Sequence, residues 1–295
     1  MSYLTLRFVD VGNGIKNVMD LSDDELQTVC EKLDDYGLQI SSLGSPLGKT
    51  KLLDVDDGTQ NSYFPFDEYL EEHVAKACRI ANTLNTKLIR GFSFYHPKGN
   101  EGRDYLEPAA EKLQSIAGYC DQFGLTFGLE VEANLIGHNA DNLIQLHRLV
   151  DSEAMVLIFD GANLVTQGYS KHEIFEQFRL MKPALGWIHV KDHLKINQRV
   201  GHYVDEEALH QFVPAGHGES GYQEILSELK EDWGELSARL KRRGMPGLFA
   251  DLEPHLKGGG QFGGYSGPDG FGIAARAFHK MCCENDVSCP LLSSL

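Results

Sequence analysis

The chain has 295 residues, 42% apolar and 24% charged, with 27 Lys+Arg against 43 Asp+Glu and a net charge of −16. The apolar fraction excludes a disordered chain, and no apolar run approaches the roughly 18 to 20 residues that a membrane-spanning helix needs. An acidic surface repels a phosphate backbone, which argues against nucleic acid as a partner and leaves a small polar or anionic molecule.

Along the chain, apolar β-branched runs of strand length alternate with longer stretches whose apolar residues recur at helical spacing. Strands are predicted near residues 4–9, 38–43, 87–94, 125–131, 155–160, 185–190 and 247–253, with a weaker candidate at 211–215. Helices are predicted near 22–36, 66–84, 106–123, 140–150, 172–180, 222–242 and 271–284. Ser22-Asp23-Asp24-Glu25 reads as a capping box, and Gly37 and Gly124 stand where a helix should stop.

Strict alternation of strand and helix means parallel strands with right-handed crossovers. Counting the weak candidate there are eight strands, and neither linker nor composition shift divides the chain. The expected fold is therefore an α/β (β/α)8 TIM barrel, one domain over residues 1–295 whose last ten or so residues form a tail. The N-terminus MSYLTLRFVDVGNG lacks a basic start and a small-residue cleavage site, and the six cysteines show no CxxC spacing. A cytoplasmic chain with reduced thiols is expected. A homo-oligomer is compatible with this reading, although no interface signal singles one out.

Catalytic groups of such a barrel sit where strands end. The runs 127–132 (FGLEVE), 157–160 (LIFD), 187–192 (WIHVKD) and 249–255 (FADLEPH) end in Glu130, Asp160, His189 and Glu253. Any one of these would more often cap a helix or anchor a loop. Four on strand ends that face one rim are different, because three ionised carboxylates losing hydration together need a counter-charge. A divalent ion is the simplest one, and three carboxylates with one imidazole suit Mn²⁺, Mg²⁺ or Co²⁺, with Zn²⁺ also accommodated. Glu132 shares a face with Glu130, and Asp251 with Glu253. Glu130 is taken as a ligand because it closes its apolar run and Glu253 because, followed by Pro254, it is nearer the rim, and Glu132 is left as a contact behind the ligands or to substrate.

These stretches together resemble the sugar phosphate isomerase/epimerase superfamily, the xylose-isomerase-like TIM barrels. The likeness runs from residues 38–43 through Leu88-Ile89-Arg90 and Glu130 to the HVKD stretch at 189–192 and Glu253, and takes in the loop Pro214-Ala215-Gly216-His217-Gly218-Glu219. The resemblance implies that Glu130, Asp160, His189 and Glu253 bind one divalent ion, most often Mn²⁺, and that Glu130 and Glu253 also move protons. Asn163 stands where the epimerases often carry His, and their arginine beyond the His-bearing strand has no counterpart after His189.

Charge dictates the chemistry of such a site. An ion chelated by a carbonyl and its neighbouring hydroxyl stabilises an enediolate, and two carboxylates on opposite faces can remove and return the α-proton. An isomerase or epimerase acting on a small sugar, polyol or sugar phosphate results. With a β-hydroxyl on the substrate the same carbanion expels water, so a dehydratase of inosose or dehydroshikimate type is the alternative. A noncatalytic sugar-binding barrel and an endonuclease IV-like phosphodiesterase are further alternatives, the latter opposed by the acidic charge. Lys191 could neutralise an oxyanion or pair with Asp192. Asn163, His217, Arg90 and His96 are candidate substrate contacts, and Arg90 is equally readable as an interior ion-pair partner.

Two glycine-rich stretches are set aside. Residues 44–50 (GSPLGKT) lack the glycine a phosphate loop requires at position 43, where Leu43 stands. Gly258, Gly260 and Gly263 match a dinucleotide pattern, but no βαβ unit comes after them. That segment reads instead as a loop at the barrel mouth.

Overall fold

The computed structural model describes residues 2–98, 104–194, 211–256 and 268–289. In chain order the strands are β1 (Tyr3–Leu6), β2 (Phe8–Asp10), β3 (Ile15–Asn17), β4 (Gln39–Gly44), β5 (Leu88–Gly91), β6 (Thr126–Glu130), β7 (Met155–Asp160), β8 (Leu185–Val190), β9 (Asp192–His193), β10 (Phe212–Val213) and β11 (Ala250–Leu252). The helices are α1 (Asp23–Tyr36), α2 (Phe66–Glu68), α3 (Ala75–Thr83), α4 (Leu106–Gln122), α5 (Ala140–Val150), α6 (Gly161–Val165), α7 (Lys171–Met181), α8 (Tyr222–Arg242) and α9 (Pro268–Glu284). A π-helical turn, Tyr69–Val74, joins α2 to α3, so the helix predicted near 66–84 is continuous but wider in its middle.

Seven strands form one sheet in the order β1-β4-β5-β6-β7-β8-β11, with helices in the crossovers, which is the α/β architecture of a TIM barrel. The strand ends are shorter than their apolar runs suggest. β5 stops at Gly91, after which Phe92 N–H donates to the Leu47 carbonyl and Phe94, at a φ of 70°, donates to that of Gly48. Residues 211–215 do not supply an eighth strand to this sheet. Phe212–Val213 pair antiparallel with Asp192–His193 in a separate two-stranded ribbon, because Pro214 cannot donate to a longer ladder. The β2–β3 hairpin was not predicted. Its turn is tied by the Asp10 carboxylate, which accepts from Gly12 and Gly14 N–H.

The chain forms two compact units. One comprises Met1–Glu130, Gln145–Leu157 and Ala238–Gly247, and the other Val131–Ile144, Ile158–Ser237 and Leu248–Leu295. In the first, α1 opens with the predicted capping box, Ser22 and Glu25 each accepting from the other's backbone N–H, and closes on Gly37 in the left-handed region. Leu88, Ile89, Leu113, Ile116 and Phe127 are fully buried there, as parallel strands covered by helices require. In the second, α7 also begins with a capping box, at Ser170 and Glu173. Phe159 and Phe178 meet edge to face at 5.2 Å, and Trp187 stacks on Phe249 at 4.6 Å. Among the described residues no helix is long and apolar enough to cross a membrane.

Gly48 illustrates how tightly the first unit is closed. Its φ is +83°, and a Cβ there would collide with the Phe92 carbonyl. Gly48→Ala is expected to destabilise the protein by about 2–4 kcal/mol in urea unfolding, through left-handed strain plus the clash. A change below about 0.5 kcal/mol, the size of an ordinary surface substitution, would refute this packing.

Candidate metal centre

The site is built at the carboxyl ends of β7 and β8 and just beyond β11. Along β7, Leu157, Ile158, Phe159 and Asp160 are all fully buried, so the strand carries a shielded carboxylate at its carboxyl end. Asp160 divides its two oxygens. One accepts from Asn163 N–H at 3.1 Å and so caps α6, a short helix that was not predicted. The other, Oδ2, lies 3.9 Å from His189 Nδ1 and 2.9 Å from Lys191 Nζ.

Register decides the height of the remaining groups. β11 pairs with β8 so that Asp251 sits opposite His189 and Leu252 opposite Val190, and Glu253 N–H donates to the Val190 carbonyl at 3.1 Å. Asp251 and Glu253 share a face, as do Trp187, His189 and Lys191. On the lower rung Trp187 Nε1 donates to Asp251 at 3.5 Å. On the upper rung Glu253 Oε2 lies 3.6 Å from His189 Nδ1 and 2.9 Å from Lys191 Nζ.

Asp160, His189 and Glu253 thus face one another within the second unit, and Glu130 closes β6 in the first. Carboxylate oxygens with an imidazole nitrogen in a largely buried setting fit a divalent ion. Charge around it is balanced by cations. Arg90 Nη1 lies 3.6 Å from Glu130 Oε2, both side chains being buried, and Lys191 serves Asp160 and Glu253. Burial by itself would push the Glu253 carboxyl up. Lys191, His189 and His255 outweigh it and hold the group well below the usual carboxylate range, ionised at neutral pH.

Lys191 pairs with Asp160 and Glu253, where sequence had offered it Asp192. Asp192 instead accepts backbone N–H groups from His193, Gly216, Gly218 and Ser220, which pins the 214–220 turn against β9. His217 stands exposed on that turn, and Glu219 N–H donates to the His193 carbonyl. Asn163 is buried and gives its side-chain amide to the Val131 carbonyl at 3.0 Å. Glu132 lies beyond β6, half-buried, with its N–H toward the Gly137 carbonyl. His96 is half-buried, its Nδ1 being 3.3 Å from the Pro97 carbonyl. Arg90 is the interior ion-pair partner of Glu130 and lies over the Phe92 ring at 4.6 Å.

Two residues that support the site were missed. Tyr222, at the start of α8, reaches the His189 carbonyl at 2.9 Å and the Lys191 carbonyl at 2.8 Å with its hydroxyl, and accepts from Lys191 N–H at 3.2 Å. Burial, followed by the charges of Asp160 and Asp192, pushes this phenol well above its ordinary range, so it remains a donor. His255 Nε2 lies 3.6 Å from Glu253 Oε1, on the side away from His189. The Glu-Pro-His order was the only signal for His255, and a tyrosine opening a helix offered none.

No curated protein sequence is significantly similar to the chain. Solved structures share its fold. An IOLI protein with a bound zinc atom superposes with a TM-score of 0.65 at 13% identity, over 97% of this chain and 89% of that one. D-psicose 3-epimerase with D-tagatose, from Clostridium cellulolyticum H10, gives 0.58 at 16%, over 90% and 85%. The probable 3-DHS dehydratase AsbF of Bacillus anthracis, involved in petrobactin synthesis, gives 0.55 at 17%, over 78% and 84%. The xylose isomerase-like TIM barrel family profile matches residues 2–256, and the chain belongs to that family.

Proposed function

We propose that the protein is a divalent-metal-dependent isomerase or epimerase of a small sugar, polyol or sugar phosphate, working in the cytoplasm. The observation that carries this reading is the meeting of Asp160, His189 and Glu253, with His189 Nδ1 3.9 Å from Asp160 Oδ2 and 3.6 Å from Glu253 Oε2. With Glu130 as the fourth ligand these would hold the ion, with Mn²⁺ favoured and Mg²⁺, Co²⁺ or Zn²⁺ also suited to the donors. When bound, such an ion supplies Lewis acidity and a template for a carbonyl and its neighbouring hydroxyl.

The chain's own groups do the proton work. Glu253, held ionised by Lys191, His189 and His255, is a base ready at neutral pH, and Glu130, beside Arg90, is the second. One takes the proton α to the carbonyl and the other returns one. Tyr222 fixes the backbone that carries His189 and Lys191, so the imidazole is placed before substrate arrives. A dehydratase is the second reading. It is favoured by Lys191, whose ammonium lies 2.9 Å from Glu253, where it could steady a departing hydroxyl's charge.

Metal analysis of the purified protein should find one ion per chain, lost in Asp160→Asn and in Glu253→Gln. Unchanged metal content in both variants would end the metal reading. With the metal-loaded protein in D₂O, a ketose that is turned over should gain deuterium next to its carbonyl, and Glu253→Gln should lower kcat by about 10²–10⁴-fold. Growth of ultraviolet absorbance without such exchange would assign the lyase reaction instead.

The depressed Glu253 titration also has a stability consequence. A carboxyl whose folded-state value lies below its ordinary 4.5 contributes stability above that pH and loses it as the pH falls through the lowered value. Stripped of metal, the wild-type protein should therefore lose stability below about pH 4.5 more steeply than Glu253→Gln does, as read from thermal midpoints across the acid range.

A further inference from the structure

Lys191 stands where a metal's charge would act. Its ammonium is 2.9 Å from Asp160 Oδ2 and 2.9 Å from Glu253 Oε2, and its side chain is only 7% exposed. The same two oxygens face His189 Nδ1, at 3.9 and 3.6 Å. The cation therefore touches the oxygens that point at the imidazole, and no layer of solvent separates it from them.

From this arrangement, and resting on the reading of the four residues as ligands, we infer that Lys191 is the chain's own counter-ion for Asp160 and Glu253 and competes with a divalent ion for their oxygens. Ligand oxygens approach such an ion at about 2.0–2.2 Å. An ammonium held against the same oxygens puts its charge within a few ångströms of the ion in a buried site, where screening is weak, so the two cations compete for Asp160 and Glu253. The backbone cannot yield to relieve this. Lys191 N–H is bound to the Tyr222 hydroxyl at 3.2 Å, and its carbonyl lies 2.8 Å from that hydroxyl and 3.5 Å from Ser220 Oγ. The change is confined to the side chain, whose four-carbon stem is flexible enough to swing the ammonium off the carboxylates.

Lys191 accordingly has two opposed effects. It holds together acidic groups that would otherwise repel one another, and it weakens metal binding by competing for the same oxygens. Removing its charge should separate these effects.

The test is calorimetric titration of Mn²⁺ and Mg²⁺ into the metal-stripped full-length chain, comparing wild type with Lys191→Met and Lys191→Gln. The expected result is an apparent Kd tighter by about tenfold or more in both variants, with a lower melting temperature of the stripped protein and a larger gain on adding metal. Variants that fold and bind metal with the wild-type Kd, or more weakly, overturn the role of Lys191 while leaving the metal centre in place. Absence of saturable binding to wild type and variants alike overturns the metal reading and this inference with it. A second measurement needs no variant to fold in the stripped state. In wild type labelled with ¹⁵N-lysine, the carboxylate-paired ammonium resonance should shift stoichiometrically with added Mg²⁺, and a resonance unmoved at saturating Mg²⁺ overturns the inference.

Discussion

The constraint on which the rest of the structure depends is the cost of gathering negative charge away from water. Glu130 and Asp160 are almost entirely buried, and an ionised carboxylate in such a place is strongly disfavoured unless opposite charge and hydrogen bonds meet it. The protein meets it twice over. Arg90 rises from β5 beside Glu130, and Lys191 rises from the end of β8 between Asp160 and Glu253. A cluster that attracts cations from its own chain has the electrostatics to attract a divalent ion.

Around this charged centre the supporting contacts are made by main chain. Asp192, the immediate neighbour of Lys191, takes no part in the cluster and binds four backbone N–H groups of β9 and the 216–220 turn. Tyr222 does the same office for the carbonyls of His189 and Lys191. The labour is thus divided, His189 and Lys191 facing the centre while Asp192, next in sequence, and the distant Tyr222 hold the strand end that presents them. Such preorganisation matters more to catalysis than to folding, since a base misplaced by an ångström loses most of its advantage.

The chain belongs to the xylose isomerase-like TIM barrel family, and solved structures that share its fold include an epimerase and a probable dehydratase. On the proposed function, the ligand set would define a common step, proton removal beside a carbonyl, and the surroundings would define whether the resulting carbanion is reprotonated or expels water. In this chain those surroundings include a lysine against Glu253 and a histidine on its other side.

Much of this was legible in the chain. The alternation of apolar runs with helical patterns specified a parallel α/β architecture, because each pattern states which faces are buried. The capping box at Ser22, the stop at Gly37 and the four ligand candidates at the ends of apolar runs were readable for the same local reason. The β2–β3 hairpin and α6 were not, since each is short and is held by an aspartate side chain instead of by a run of apolar residues. Side-chain alternation along a strand assigns a residue to a face but not to a height. Sequence could therefore pair Asp251 with Glu253, and Glu130 with Glu132, without showing which of each pair reaches the cluster. The direction each side chain takes from β11 distinguished the first of these: Asp251, opposite His189 in register, accepts from Trp187, and Glu253 is the one that reaches His189. It also decided the partner of Lys191, which sequence proximity offered to Asp192 and the tertiary structure gave to Asp160 and Glu253. Local pattern determined which residues the strands present and where they end, because burial acts residue by residue. Which charges meet was decided only by folding, because that depends on distances between strands far apart in the chain.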